Sequence, residues 1–249
     1  MYWDFPTIKA RAKRIISDHF GEYFIATVVC SIICGYAARI RIRFDLSGIH
    51  FRTLQDAIDY LLILWSRYYS SIIVSLALSV FTRILWKIFV ANPFEIGSCR
   101  YRTLATYKHY EFQNVFFSFS GERYTNIVST MFKRDVYLIL YTLLLIVPGI
   151  IKSYSYFMVP YILAENPGIT SKRAFEISES VTVGEKWRIF ILNLSFMGWF
   201  LLGALCFGIG ILFVLPYYKA AQAEVYGALR FKAVRERLVE QSEIGAELF

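Results

Sequence analysis

Apolar residues fall in long runs along this chain, and the stretches between the runs collect most of the charge. Two of the runs carry glycine near the middle. One extends over 135–165 and is interrupted at Pro148-Gly149; the other extends over 187–227 and is interrupted at Gly208-Ile209-Gly210. A single helix of thirty-odd apolar residues would be roughly 45 Å long, against a hydrocarbon core of about 30 Å, so a bend is the economical reading. The pattern therefore predicts two helical hairpins, each bent at its glycines. A single tilted helix kinked at the same residues is the alternative, because Pro and Gly are tolerated in spanning helices. Two further runs, 20–38 and 61–90, complete the count at about six spans with hairpins and four with kinks. Length favours six. The arms flanking Pro148-Gly149, 135–147 and 150–165, are short for a crossing of about 17–25 residues, so a re-entrant pair fits there as well. The expected fold class is all-α, a polytopic transmembrane helical bundle.

Between the apolar runs the period changes. In residues 1–19, Ile8, Ala12, Ile15 and Ile16 make one apolar stripe, and in residues 171–186 Ala174, Phe175, Ile177 and Val181 make another. Such stripes on otherwise charged segments predict amphipathic helices lying at the headgroup level. The two segments resemble each other: Arg11-Ala12, Ser17 and Gly21-Glu22-Tyr23 match Arg173-Ala174, Ser180 and Gly184-Glu185-Lys186-Trp187 with one inserted residue. Gly149-Ile150 and Ala164-Glu165 also recur as Gly208-Ile209 and Ala223-Glu224 at the same spacing. Pseudo-repeated units are expected, each an interfacial helix followed by a hairpin. Three proline–aromatic steps, Pro93-Phe94, Pro160-Tyr161 and Pro216-Tyr217, end or kink helices late in their runs. Residues 228–249 read as a cytoplasmic tail.

Composition agrees with a bilayer. The chain is 57% hydrophobic and 18% aromatic, more apolar surface than one soluble core of 249 residues hides. Its net charge of +8 is spread between the spans rather than gathered in a stripe, which argues against nucleic acid as a partner. Lys and Arg concentrate in residues 1–19, 92–135, 166–188 and from Lys219 onward, so the positive-inside rule places both termini in the cytoplasm of a multi-pass cell-membrane protein. Arg39, Arg41 and Arg43 oppose that bias; their alternation with Ile40, Ile42 and Phe44 fits a strand at the outer surface. Cys30, Cys34 and Cys206 lie in spans and Cys99 in a loop, without metal-ligand spacing.

Residues 143–154 (Leu143-Leu144-Leu145-Ile146-Val147-Pro148-Gly149-Ile150-Ile151-Lys152-Ser153-Tyr154) and 158–167 (Met158-Val159-Pro160-Tyr161-Ile162-Leu163-Ala164-Glu165-Asn166-Pro167) resemble the signature of the bacterial membrane family known as domain of unknown function 975. Gly184, Lys186, Phe190, Leu194-Ser195-Phe196, Gly198-Trp199, Gly208-Ile209-Gly210 and Pro216-Tyr217 fit the same pattern, as do Asn92-Pro93 with Gly97, and Lys9 with Ala12-Lys13. Tyr141 departs from it, standing where the family has tryptophan. The resemblance implies a polytopic membrane protein of a Gram-positive bacterium, distantly similar to the membrane domain attached to some glycerophosphodiester phosphodiesterases. It implies no activity.

Catalytic chemistry has little to stand on. His19, His50 and His109 fall in three different connecting segments, and no HExxH, phosphate loop or nucleophile elbow is present. No cofactor or metal is expected. Ionisable residues in or near the spans are the better candidates, because a charge facing hydrocarbon costs about 2.5–3.5 kcal/mol unless it is paired, snorkels or faces water. These are Arg83, Lys87, Glu165, Lys219 and Glu224, with Pro148, Gly149, Pro160, Gly208, Gly210 and Pro216 as the helix-breaking positions. The expected function is non-enzymatic: membrane scaffolding, immunity or envelope adaptation, with the bilayer, its anionic inner-leaflet lipids and a membrane-protein partner or second copy as partners. The alternative is a small transporter or lipid-handling protein built on the Pro-broken helices and the intramembrane charges.

Overall fold

The computed structural model describes residues 3–35, 53–121, 123–205, 208–240 and 243–244, and among them every regular element is helical. Residues 1–35 and 88–249 form one unit and residues 36–87 a second. The expected strand at Ile40–Phe44 lies outside the described residues, as do His50 and Cys206.

The second unit is built on α3 (Leu54–Trp86), 33 residues begun by a capping box. Asp56 N–H donates to Thr53 Oγ1 and Thr53 N–H to Asp56 Oδ2, so each satisfies a backbone donor the first turn would leave open. Leu62, Trp65, Val74, Leu78 and Phe81 are exposed on different sides of this helix. An apolar surface on all sides is what a bilayer requires.

The first unit begins with α1 (Phe5–Asp18), capped by the Asp4 carboxylate on Thr7 N–H. The chain bends by 104° at His19 into α2 (Phe20–Gly35). A π-helical turn, Lys87–Ala91, precedes α4 (Asn92–Thr106), and a 3₁₀ segment, Phe112–Phe119, covers one side of α4. Then come α5 (Arg123–Leu144), α6 (Ile146–Ser155), α7 (Val159–Glu165), α8 (Ser171–Thr182), α9 (Lys186–Leu205) and α10 (Ile209–Arg235). The core lies where α4, α7 and α10 meet. Tyr161 stacks on Tyr226 at 4.7 Å, Tyr23 packs on Tyr101 at 5.9 Å, and Ile162, Leu163, Ala220 and Leu229 are fully buried.

Both predicted reversals are hairpins rather than kinks, and each is closed by a contact seven residues apart. At the first, the chain turns on Leu145 in extended conformation, three residues before the expected break. Pro148 falls in the first turn of α6, where its missing N–H costs nothing, and Gly149 lies against α5 so closely that a Cβ would come within 2.8 Å of Thr142 Cα. At the second, Gly208, the residue that precedes α10, has the left-handed conformation with φ +79, and a Cβ on Gly210 would come within 2.6 Å of Gly203 Cα. Pro160 opens α7 after a break at Tyr156–Met158, whereas Pro216 lies inside a continuous α10.

Among the described residues the span count falls below six. By length and composition three helical stretches there can cross a membrane, Tyr69–Thr106, Ile146–Glu165 and Lys186–Leu205, and the bent pair α1–α2 makes up to four. Each hairpin has one apolar arm and one mixed arm: α5 carries Lys133, Arg134 and Asp135, and α10 carries Lys219, Glu224, Arg230 and Lys232. Two further expectations change. The segment assigned to a tail from residue 228 continues α10 to Arg235 with Leu229, Arg230 and Ala233 buried, and Ile244 is buried beyond it. Cys99, expected in a loop, is buried on α4.

Candidate functional site

Helix α1 packs its apolar stripe onto α10. Ile8, Ala12 and Ile15 are buried there, so the face expected to lie on headgroups is covered by protein, while Arg11, Lys13 and Arg14 remain exposed. Ala174, Ile177 and Val181 of α8 are likewise buried in the core, with Phe175 packed between Tyr137 and Tyr156. The two segments are less alike in space than in sequence: Tyr23 is buried and Trp187 exposed, while Glu22 is exposed and Glu185 buried.

Between α1, the end of α4 and α10 lies an open cleft of about 930 Å³. Ile8, Ile15, Ala223, Phe231 and Val234 make its apolar wall; Arg11, Arg14, Lys108 and Arg230 bring cations, and Asp4, Asp18 and Glu224 bring acids. Glu224 is 3.9 Å from the exposed guanidinium of Arg11. Glu165, expected to be its equivalent, is placed deeper: its side chain is 1% exposed, Tyr226 donates to it at 2.7 Å, and Arg230 Nε is 3.2 Å away. Arg230 also donates to Ile244 O at 2.6 Å, so one buried cation joins α7, α10 and the C-terminal segment. His19 packs its ring on Tyr110, beside His109, at 4.1 Å, bringing two of the separated histidine segments together.

Lys219 does not share this cleft. It lines a second cavity of about 190 Å³ with Glu95, Cys99 and Arg102 of α4, Arg134 of α5 and Tyr161 of α7. Arg83 and Lys87 belong to the other unit and are exposed there. Within the first unit, the three predicted ionisable residues thus occupy separate places. Glu165 and Glu224 are held by cations of the first unit, and Lys219 faces a different cavity.

Several charged residues that matter were not singled out by the sequence. Arg134 is bracketed by Glu95 at 3.4 Å and Asp135 at 3.0 Å. Glu185, 3% exposed, joins Arg188 at 3.4 Å and Lys232 at 3.1 Å, fixing the corner before α9 to α10. Glu95, Cys99 and Arg102 at i, i+4 and i+7 are the one signal that could have found the small cavity, since that spacing sets them on one helix face.

A family model described as "Protein of unknown function (DUF975)" matches residues 50–233 of the chain. No curated protein and no solved structure matches it.

Proposed function

The chain belongs to the family of proteins of unknown function DUF975, and on that premise we propose that it is a non-enzymatic integral protein of the cell membrane that handles lipid, holding an anionic amphiphile in the α1–α10 cleft. The cleft is the observation that carries this. Its volume of about 930 Å³ lies within the range of about 300–1,000 Å³ typical of small-molecule sites, and it offers an apolar wall beside cations, as an amphiphile demands. Arg11 and Arg14 are exposed at its rim, where the attraction of an anionic leaflet is about 1 kcal/mol per charge. Paired acids argue against an ion path: Glu165 and Glu224 both face guanidinium groups.

The test is native mass spectrometry of the full chain in nanodiscs of mixed phosphatidylglycerol and phosphatidylcholine. Wild type should retain phosphatidylglycerol selectively, and Arg11→Gln with Arg14→Gln should lose most of that selectivity. Equal retention of both lipids by wild type, or unchanged selectivity in the variant, would rule the proposal out.

Scaffolding in the envelope, including an immunity role, is the second reading, favoured by α3. Its all-round apolar exposure suits contact with a neighbouring membrane helix, from a partner or a second copy, as well as with lipid. Cysteine cross-linking from Val74 in native membranes distinguishes the two: a discrete adduct supports scaffolding, and its absence leaves α3 facing lipid.

A further inference from the structure

The small cavity between α4, α7 and α10 is lined by three cations: Arg102, Arg134 and Lys219. Arg134 is neutralised twice, by Glu95 and Asp135. Among the described residues, no carboxylate pairs with Arg102. It is 4% exposed, its Nη2 donates to the Cys99 sulfur at 3.2 Å, it also meets the Tyr161 hydroxyl, and its Nε has no hydrogen-bond partner. A thiol sulfur is a weak acceptor and a phenol carries no charge, so neither offsets the guanidinium. Lys219 makes neither a hydrogen bond nor an ion pair within 4 Å among the described residues; its ammonium lies 5.8 Å from the Tyr218 ring centroid. Three cations thus stand against two carboxylates, and the surplus charge is the most deeply buried one.

Leaving a buried charge uncompensated is among the most destabilising arrangements a fold can hold, and a bound anion is one arrangement that satisfies both the charge and the open donor. Arg102 and Lys219 line one polar space of about 190 Å³, with Gln222 and Ser153 beside them. Guanidinium is suited to phosphate by its planar fork, and an ammonium adds a point charge.

We propose that this cavity is a binding site for a phosphate group, with Arg102 and Lys219 as its principal ligands. Converging donors from α4 and α10 match tetrahedral oxygens better than a planar carboxylate. The phosphate belongs either to a soluble phosphate compound or to a lipid headgroup. The site is separate from the cleft and does not depend on what the cleft holds.

Two measurements on the full chain decide the matter. Inorganic phosphate is titrated calorimetrically into the detergent-purified protein, and phosphatidic acid is counted by native mass spectrometry after exchange from nanodiscs that also contain phosphatidylcholine. Binding of phosphate itself indicates a soluble ligand; retention of phosphatidic acid alone indicates a headgroup. In either case Arg102→Gln and Lys219→Gln should each weaken binding by roughly 10- to 100-fold, as expected for loss of a charge-assisted hydrogen bond. Lys172→Gln, an exposed change on α8, should leave it unaltered. Arg11→Gln with Arg14→Gln separates lipid held in the cleft from lipid held here. The proposal fails if wild type takes neither probe, or if its binding survives Lys219→Gln. That second variant carries the test should Arg102→Gln prevent folding.

Discussion

At the scale of single residues, the charges inside this protein matter through their partners. Glu165 and Arg230 are both nearly inaccessible and face each other across the α7–α10 contact. Removing one partner of a buried pair leaves the other charge stranded, at a cost of about 3–5 kcal/mol, whereas replacing both with apolar groups is often neutral. Glu165→Gln should therefore lower the melting temperature of the detergent-purified chain sharply, and Glu165→Leu with Arg230→Met should recover much of the loss. Equal melting of wild type and Glu165→Gln would show that the pair does not hold the bundle. A second pair behaves differently because water reaches it. Arg173 donates to Glu243 at 2.7 and 2.9 Å, and these bonds hold the Glu243 carboxyl below its ordinary value of 4.5, while the same contact raises Arg173. A carboxylate whose folded pKa is depressed contributes stability that is complete above the unfolded pKa and is lost as pH falls through the folded one. Protection against hydrogen exchange in residues 236–240, taken relative to the intrinsic exchange rate at each pH, should thus be constant from neutrality to about pH 5 and fall below 4.5, and Arg173→Gln should remove that pH dependence.

At the scale of elements, the hairpin tips make a sharper statement than the spans. Leu143 through Val147 are all apolar and all at least 64% exposed, with no polar residue to meet water at the turn. Lys152, seven residues beyond Leu145, already reaches Glu179 of α8 at 2.7 Å. At 1.5 Å per residue that leaves a tip only ~10 Å beyond the first ion pair, against a hydrocarbon core of about 30 Å. The tip should end inside the bilayer. Leu145→Cys should resist impermeant maleimide from both sides of the membrane and react only after detergent is added; labelling from the outer face in intact cells would show instead that the hairpin crosses. The sequence made these hairpins visible, because glycine and proline in an apolar run have few other uses, and it also revealed the stripes of α1 and α8. What the stripes face was not visible: Ile8, Ala12 and Ile15 would look the same against headgroups as against α10. Helix α4 escaped for a different reason. Asn92, Ser98, Cys99, Arg100 and Arg102 read as a cytoplasmic connection, since burying such residues is tolerable only with partners such as Ala164 O for Arg100 and Asp135 for Asn92. Those partners lie tens of residues away, on α7 and α5, where no local pattern points to them.

At the scale of the whole molecule, one face collects both ends of the described chain. Trp3 and Val234 line the same cleft, and the Arg188 guanidinium lies over the Trp3 ring at 4.6 Å while donating to the Trp3 carbonyl. The basic residues of α1 surround that face as well, with Lys108 at the end of α4 beside them. Both hairpin tips are apolar and uncharged, so the charge of the first unit is polarised away from them. This is the arrangement the positive-inside rule associates with the cytoplasm. A green fluorescent protein fused after Leu238 should accordingly fluoresce, and alkaline phosphatase fused at the same place should be inactive. The same pair of reporters fused before Asp4 should give the same result, because the packing of α1 on α10 does not allow the two ends to lie on opposite sides of the bilayer. An active phosphatase at either end would invert the orientation. Active phosphatase at one end alone would be more damaging, since the α1–α10 cleft and the proposed lipid site within it require both ends on one face.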